Sequence, residues 1–333
     1  MHLDKYLLVL SAVIICVSSS RFLDQEWNAW KGTYGKNYPT LYDETFRRQA
    51  WEATWHKVQN HNQKYDQGLV KYSMEMNHFA DMTTEERSTR SCISNKKISS
   101  LKSDIPLKTY SENGDLPSTV DWRDSKCVTR VKNQGLCGSC WAFATVGMLE
   151  TQNCLKSGEL VELSEQQFVD CDSSNEGCCG GIPAKALDYI THHGLMRAKD
   201  YEYREKQSAC MLKDDNAIQF NVSKFYTLLE EKNMASSLAL DGPISVGIDA
   251  SEDFMLYKTG IFTGSCTETP SHAVIIVGYG TEYDEKSGED LDYWIIKNSW
   301  AEVWGEKGYG KIQRNVNMCG IVSTQWRPQW TLS

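Results

Sequence analysis

Residues 134–143 read QGLCGSCWAF, and the role of this stretch decides how the rest of the chain is interpreted. Cys137 and Cys140 lie three residues apart, and Trp141 follows directly. A CxxC pair can be a redox-active disulfide, half of a zinc site, or a structural cysteine beside a reactive one. The compartment of the protein and its other motifs must distinguish these roles.

Length and charge set broad limits on the class of protein. The chain has 333 residues and a formal net charge of -9, with no block of like charges. This length suits one or two domains with a substantial core. There is no basic stripe of the kind that binds nucleic acid, and no second long apolar run beyond the N-terminus. We therefore expect neither nucleic acid binding nor a membrane span.

The N-terminus has the pattern of a secretory signal peptide. Lys5 precedes the apolar run LLVLSAVIICV at 7–17, and three serines follow it. The run is too short to span a bilayer, and small residues after it are typical of a cleavage site. We therefore expect residues 1–19 to be removed on entry into the secretory pathway.

Secretion changes the meaning of the 12 cysteines. In an oxidising compartment most of them should be paired as disulfides. Zinc ligation is disfavoured, because Cys178 and Cys179 lack the spacing of a second CxxC. No metal and no other cofactor is expected.

The chain divides by pattern into a helical first part, a polar linker and a larger second part. Residues 25–90 carry tryptophans at helical spacing, and 91–114 is rich in Lys, Ser and turn residues. Residues 139–155 read as one apolar helix, and Ser164 is placed to cap a short helix after it. Beyond about residue 240 the pattern is strand-like, in PISVGIDA, HAVIIVGYG and DYWIIKNSW. This order predicts an α+β fold of two lobes with a site in the cleft between them.

Cys140 is the stronger candidate for a reactive thiol. It stands at the predicted start of the apolar helix, where unpaired N–H groups and the helix dipole stabilise a thiolate. His192, His193 and His272 are the candidate bases. His272 lies at the start of a predicted strand, and Asn298 in KNSWAEVWG could accept a hydrogen bond from its other ring nitrogen.

Together, QGLCGSCWAF, SHAVIIVGYG and KNSWAEVWGEKGYG closely resemble the papain family of cysteine proteases, and the whole chain is most similar to the cathepsin L branch. The resemblance implies a papain-like fold with a helical left lobe, a β-barrel-like right lobe and an N-terminal helical inhibitory propeptide. It divides the chain into a signal peptide at 1–19, a propeptide at 20–115 and a peptidase domain at 116–333.

The resemblance also assigns roles at the active site. Cys140 is the nucleophile, His272 the general base and acid, and Asn298 the residue that orients His272. The side chain of Gln134 and the backbone N–H of Cys140 form the oxyanion hole. Cys137 is then a disulfide half, and a thioredoxin-like redox role would leave the His and Asn motifs unexplained.

Two tryptophans and a set of cleft residues complete the site that the family implies. Trp300 would shield the His–Asn hydrogen bond from water, and Trp304 would line the leaving-group side. The cleft glycines are Gly180 and Gly181. The subsite for P2, the residue second from the scissile bond on its amino side, comprises Ile182, Pro183, Gly247, Pro270 and Thr324. Because none of these is acidic, an apolar P2 residue is expected.

The propeptide resemblance rests on two motifs. In DETFRRQAWEATWHKVQNHN, residues 43–62, Arg47, Trp51 and Asn62 match the family helix. In MNHFAD, the match is to Asn77, Phe79 and Asp81. The propeptide would act as a folding aid and inhibitor, and maturation is expected near 113–116.

The implied disulfides are Cys137–Cys178, Cys171–Cys210 and Cys266–Cys319. Cys127, Cys154 and Cys179 are left over in the mature region; Cys127–Cys154 is one option, and Cys179 could compete with Cys178 for Cys137. Asn221-Val-Ser is a sequon, and hence an expected glycan site.

Three departures from the family pattern bear on activity: Ala144 replaces Ser, Ala301 replaces Gly after NSW, and Glu202 replaces Pro. None removes a catalytic group. The sequence therefore predicts a lysosomal or secreted cysteine endopeptidase, made as a zymogen, monomeric, and acting on protein and peptide substrates. Its own propeptide and cystatin-type inhibitors would restrain it. The alternative is a catalytically inactive homologue that uses the papain fold as a binding protein.

Overall fold

The structure is a computed structural model that describes residues 21–88, 93, 106–110, 116–220, 222–228, 230–322 and 325–330. The expected signal peptide at 1–19, the glycan site at Asn221 and the subsite residue Thr324 lie outside the described residues, as do residues 111–115 at the expected maturation site. None of the described helices is long and apolar enough to cross a membrane.

The described elements are mixed in type, with six of the eight α-helices before residue 200 and seven of the nine strands after residue 220. The helices are α1 (21–33), α2 (Leu41–Asp66), α3 (Thr84–Ser88), α4 (Cys140–Ser157), α5 (Glu165–Cys171), α6 (Pro183–His192), α7 (Glu231–Asp241) and α8 (Glu252–Met255). The strands are β1 (Tyr72–Met74), β2 (Val120–Asp121), β3 (Val222–Tyr226), β4 (Ile244–Ile248), β5 (Tyr257–Phe262), β6 (His272–Asp284), β7 (Glu289–Lys297), β8 (Tyr309–Gln313) and β9 (Gln325–Trp330).

Helix α4 is the centre of the helical lobe. It is almost wholly buried over its first turns, in keeping with its apolar sequence, and packs with α5, α6 and one face of β6 around a common core. Gly158 ends the helix in a left-handed conformation with φ 76°, and its N–H donates to the Cys154 carbonyl oxygen. Glycine adopts this conformation without a Cβ clash. Ser164 caps α5, as expected, by accepting a hydrogen bond from the Gln167 N–H.

The second lobe is a strongly curved antiparallel sheet. Its strand order is β1-β5-β8-β7-β6-β4-β9-β3, with β2 paired to β6 and one parallel pair, β5 with β8. The long β6–β7 hairpin forms the middle of the sheet and carries His272 and Lys297 at its open end, away from the turn. The α+β papain-like fold with a propeptide is confirmed.

The N-terminal region packs as a separate small unit against the second lobe. Its own core is formed by Trp27, Trp30, Trp51 and Ala80. Its strand β1 adds to the edge of the enzyme sheet by pairing with β5. The side chain of Asn62 on α2 holds β1 in place, because its amide donates to the Met74 carbonyl oxygen and accepts from the Met74 N–H.

Four disulfides lie in the described enzyme domain. They are Cys127–Cys154, Cys137–Cys178, Cys171–Cys210 and Cys266–Cys319. Three are the pairs that the resemblance implied. The Cys127–Cys154 pair, with its Cα atoms 5.4 Å apart, joins two of the cysteines whose partners the sequence left open. Cys140 and Cys179 are thiols, the first buried and the second exposed.

Candidate active site

Cys140 is the first residue of α4 and has no exposed surface. The Ala273 backbone N–H donates to its Sγ at 3.3 Å. Ala273 directly follows His272 on β6, so the structure brings the start of the central helix and the start of the central hairpin together across the cleft. The helix N-terminus adds a favourable field for a thiolate at this position.

His272 is fixed by two neighbours that follow β7. Its Nε2 lies 2.8 Å from Asn298 Oδ1, in a fully buried hydrogen bond. The Trp300 indole stacks on the imidazole, with ring centroids 4.4 Å apart and an interplanar angle of 23°. The indole keeps water from the His–Asn bond, and the bond fixes the ring orientation. The same Asn298 Oδ1 also accepts from the Ser299 N–H.

Gln134 is held by contacts that the sequence did not indicate. The Ser299 hydroxyl donates to its Oε1 at 2.7 Å, and its Nε2 donates to the Cys137 carbonyl oxygen at 3.0 Å. The Tyr203 hydroxyl donates to the Gln134 carbonyl oxygen at 2.8 Å and lies 2.6 Å from the Ser139 hydroxyl. Tyr203 directly follows Glu202, which departs from the family pattern. The hydrogen bond from Tyr203 to Gln134 is present despite that departure. In the sequence, only the position of Tyr203 in the YEY motif could have indicated this role.

A buried charge cluster lies behind the Cys–His pair. Lys132 bridges Glu150 and Glu165 at 2.6 Å each, and Lys297 donates to Thr129 at 2.9 Å. Burial alone would lower the pKa of Lys132, but the two carboxylates raise it above its ordinary value. Burial also raises the pKa of Glu165. It lowers the pKa of Lys297 to about 8.

A small cavity of about 20 Å³ separates this cluster from the active site. Ala144 and Asn298 are among its lining residues. Among the described residues, Asn298 Nδ2 has no hydrogen-bond partner. The Ala144 departure therefore removes a hydroxyl from a cavity shared with the residue that orients His272.

The glycine pair of the cleft is in contact with the prosegment. Gly180 has a φ of 123°, and Gly181 forms a parallel bridge with Ile93. A Cβ on Gly181 would lie 2.6 Å from the Trp141 ring, so a side chain there would displace the core beneath the cleft. At Ile93 the prosegment thus touches the cleft edge that is expected to bind substrate.

The expected P2 residues gather beside His272 or the cleft glycines. Ile182 and Pro183 begin α6 and are buried; Pro270 is buried two residues before His272. Gly247 pairs with Ala273 across β4 and β6. His192 and His193 lie at the far end of α6 and contact α6 residues.

Trp304 is fully buried in this form, although the resemblance placed it along the leaving-group side. Its indole N–H donates to the Phe254 carbonyl oxygen, and its ring meets the Trp300 ring edge-on at 5.5 Å. The open space near the leaving-group side is a cavity of about 310 Å³ lined by His272, Trp300 and the prosegment residues Thr84 and Arg87.

An aromatic contact links the prosegment, through Trp300, to His272. Phe79 is 2% exposed and meets the Trp300 ring edge-on, with centroids 5.1 Å apart. The neighbouring Asn77 donates to the Met255 carbonyl oxygen at 2.8 Å, entirely buried. The motif MNHFAD therefore anchors the prosegment directly beside the Trp300–His272 stack.

Ion pairs surround this aromatic contact. Arg87 pairs with Glu252, and Lys57 lies 3.0 Å from Glu252 and 2.7 Å from Asp253. Further along the prosegment, Lys71 pairs with Asp284 on the β6–β7 hairpin. In the described part of the chain, no cluster of His, Cys, Asp and Glu has the form of a metal site.

Comparisons with known proteins agree with this geometry. Residues 116–328 match the family model for papain family cysteine proteases, and residues 27–86 match the cathepsin propeptide inhibitor domain. The chain is 40% identical to cathepsin S of Bos taurus, over 97% of this chain and 98% of that protein, and 39% identical to procathepsin L of Felis catus, over 95% and 97%. Among solved structures, digestive procathepsin L 3 from the larval midgut of Tenebrio molitor superposes with a TM-score of 0.83 at 35% identity, covering 92% of this chain and 98% of that one.

The two family models thus match both the enzyme domain and the N-terminal region that packs against it. The chain belongs to the papain family of cysteine proteases and is a cathepsin L-like zymogen that carries its own propeptide inhibitor domain.

Proposed function

We propose that Cys140 and His272 hydrolyse peptide bonds through an acyl-enzyme, with Asn298 and Gln134 in supporting roles. The observation that carries this assignment is the buried 2.8 Å His272–Asn298 hydrogen bond beneath Trp300, on the strand whose Ala273 N–H contacts Cys140 Sγ. It supports a nucleophile, a base and an orienting group on rigid elements.

The reaction is two acyl transfers. The Cys140 thiolate attacks the substrate carbonyl carbon, and the His272 imidazolium gives its proton to the departing amine. Water then gives a proton to His272 and attacks the thioester carbonyl carbon. This step releases the carboxylic acid product and restores the Cys140 thiolate and the His272 imidazolium. The Gln134 side-chain amide has two N–H groups, so it can act as a donor in the oxyanion hole. A hydrogen-bond donor aimed at the oxyanion lowers the reaction barrier by about 3–4 kcal/mol.

The substrate preference follows from the cleft. Ile182, Pro183, Gly247 and Pro270 supply an apolar wall without a carboxylate, which favours substrates with an apolar P2 residue over substrates with a basic one. Gly180 and Gly181 offer their backbone to an extended peptide, and Trp304 would take part only after the prosegment leaves. No insertion closes the end of the cleft in the sequence, so internal cleavage is favoured.

The prosegment, residues 20–115, would be removed near 113–116 to leave an enzyme domain at 116–333. The enzyme part carries 20 Lys and Arg against 30 Asp and Glu, so its carboxylates balance prosegment cations such as Lys57 and Arg87. Acidification protonates carboxylates and removes these pairs. We therefore propose that acid pH triggers release; equal processing rates at neutral and acid pH would contradict this.

His61 on α2 adds a second acid-sensitive contact. Its Nε2 lies 2.8 Å from the Tyr72 carbonyl oxygen, and its ring packs on the Tyr72 ring. Burial lowers the pKa of His61, opposed by that hydrogen bond and by Asp253, and assisted by Lys64 and Lys57. The docked state therefore favours the neutral ring, and its stability is lost as pH falls below the ordinary value of about 6.5.

The cellular setting of the enzyme is also part of the proposal. A signal peptide at 1–19 and a glycan at Asn221 support a lysosomal or secreted enzyme. Family resemblance supports a monomer inhibited by cystatin-type proteins.

The deciding experiment compares wild type with Cys140→Ala after acid treatment. Two fluorogenic peptides are used that differ only at P2, Leu in one and Arg in the other. We expect turnover in wild type alone, a preference for the Leu peptide, and labelling of Cys140 by a thiolate-selective epoxide. Correct processing without turnover or labelling would support the inactive binding homologue instead.

A further inference from the structure

The prosegment residues 106–110, PLKTY, lie on the enzyme domain away from the cleft. The Thr227 N–H donates to the Pro106 carbonyl oxygen, and the Lys108 N–H donates to the Thr227 carbonyl oxygen, both at 3.0 Å. The Tyr110 N–H donates to Asn233 Oδ1 at 3.1 Å. The segment is therefore held as a short extended strand beside the end of β3.

The side chains of Lys108 and Tyr110 converge on one carboxylate. Lys108 Nζ lies 3.1 Å from Asp241 Oδ2 and 4.7 Å from the ring centroids of both Tyr110 and Tyr226. The Tyr110 hydroxyl donates to the same Asp241 oxygen, and the Tyr226 hydroxyl lies 3.2 Å from it. A carboxylate with aromatic faces around a cation is a strong arrangement for recognising an ammonium or guanidinium group.

The enzyme residues of this arrangement, Tyr226, Thr227, Asn233 and Asp241, are here called the Asp241 site. The site lies at the opposite end of α4 from the nucleophile, because Gln152 donates to the Asp241 carbonyl oxygen at 2.9 Å. Gln152 follows Cys140 by twelve positions, which corresponds to roughly 18 Å along a helix. The Asp241 site is therefore separate from the catalytic cleft.

We propose that, once the prosegment has left, the Asp241 site is an exosite for extended segments of protein substrates that carry Lys or Arg and, two residues later, Tyr. The inference rests on the proposed function, since it concerns substrates of that enzyme. Removal of residues 106–110 leaves the Asp241 carboxylate, the Tyr226 ring, the Asn233 amide and the Thr227 backbone on the enzyme. The Asp241 carboxylate binds both the cation and the aromatic hydroxyl, and the Tyr226 ring lies against the cation. The Asn233 side chain and the Thr227 backbone bind the peptide backbone. A substrate tethered here is presented to a cleft about 18 Å away at a raised effective concentration.

The test is a binding experiment that does not need catalysis. The full chain carries Cys140→Ala, and residues 106–110 are replaced by a Gly/Ser linker of equal length to vacate the Asp241 site. A labelled peptide with the sequence of 106–110 is titrated in. We expect saturable binding to this chain, and at least tenfold weaker binding to the Cys140→Ala chain that keeps its own 106–110 segment.

Matched variants locate the binding. In the vacated chain, Asp241→Asn should weaken binding at least tenfold, and Asp290→Asn, an equal charge change on the exposed β6–β7 hairpin, should change it less than twofold. Peptides that carry Lys108→Ala or Tyr110→Phe are tested on the same vacated chain, and each should bind more weakly than the unchanged peptide. Because the protein is the same in these titrations, the result does not depend on how the protein variants fold.

No saturable binding, or binding indifferent to both Asp241→Asn and the Lys108→Ala peptide, would overturn the exosite. Either result leaves the peptidase assignment standing, because that assignment is tested by turnover and labelling of Cys140. Conversely, the wild-type enzyme could prove inactive after processing while the vacated chain still binds the peptide through Asp241. That result would retain the Asp241 site as a binding site and refute only its use in proteolysis.

Discussion

Replacing Phe79 with alanine should release the active site from the prosegment. The Phe79 ring is 2% exposed and lies in the same core as Tyr257, Phe262 and Trp304 of the enzyme. Its edge-on contact with Trp300 places it one ring away from His272.

The size of the effect follows from the burial. Truncating a buried Phe to Ala typically costs about 3–5 kcal/mol, and each 1.4 kcal/mol is a factor of ten in an equilibrium. Because the Phe79 ring meets Trp300 and shares a core with other rings of the enzyme domain, we expect this cost to fall mainly on the docking of the prosegment. The population with an open cleft should therefore rise by about a hundredfold or more.

The assay is the rate at which a thiolate-selective epoxide labels Cys140 in the unprocessed zymogen at neutral pH, since only the open form reacts. Phe46→Ala is the matched control, because Phe46 also belongs to the prosegment but is 44% exposed and has the Arg47 guanidinium over its ring. We expect the control to label within threefold of wild type. If Phe79→Ala labels within fivefold of Phe46→Ala, the aromatic contact does not hold the prosegment closed.

Three further changes test the site and its pH dependence. His61→Gln removes a group whose pKa burial lowers, so processing between pH 7 and 5 should depend less on pH; an unchanged profile would exclude His61 as a contributor. Asn298→Ala removes the buried bond to His272, worth about 1.5–3 kcal/mol for a charged partner, so kcat/KM should fall about 10- to 150-fold with epoxide labelling of Cys140 retained; a loss below threefold would contradict the orienting role. Ala301→Gly relieves a left-handed residue at φ 60°, which costs a non-glycine residue about 1–2 kcal/mol, so the free energy of unfolding should rise by up to about 1 kcal/mol; a fall would show that the turn is not strained.

The sequence predicted those parts of the site that are carried by short continuous motifs. Cys140 opens a helix because an apolar run without proline follows it, and His272 opens a strand because alternating and β-branched residues follow it. The helix expected at 139–155 spans Cys140–Ser157, and its end is set by Gly158. Such features depend on neighbours within a few residues, so they can be read locally.

Contacts between distant parts of the chain could not be read in this way. Tyr203 reaches Gln134 across 69 positions, and Ser299 reaches it across 165. The burial of Trp304 depends on which rings the fold places around it, here Phe254, Tyr257 and Trp300. None of these partners is implied by the local pattern, because tyrosines, serines and tryptophans serve many structural roles.

The prosegment contacts should respond to acid in a fixed order, because their chemistry differs. A hydrogen bond from Lys71 lowers the pKa of Asp284 far below its ordinary value, so this pair is lost only at pH values well below about 4. Lys286 on the same hairpin donates to the Tyr65 and Asp66 carbonyl oxygens at the end of α2, contacts that do not titrate with a carboxylate. The docked state, which favours a neutral His61 ring, instead begins to lose stability as pH falls below the ordinary value of about 6.5. Mild acid must therefore loosen the packing of β1 on α2 while the hairpin still holds the end of α2, so the prosegment opens from the Phe79 side before it leaves the enzyme.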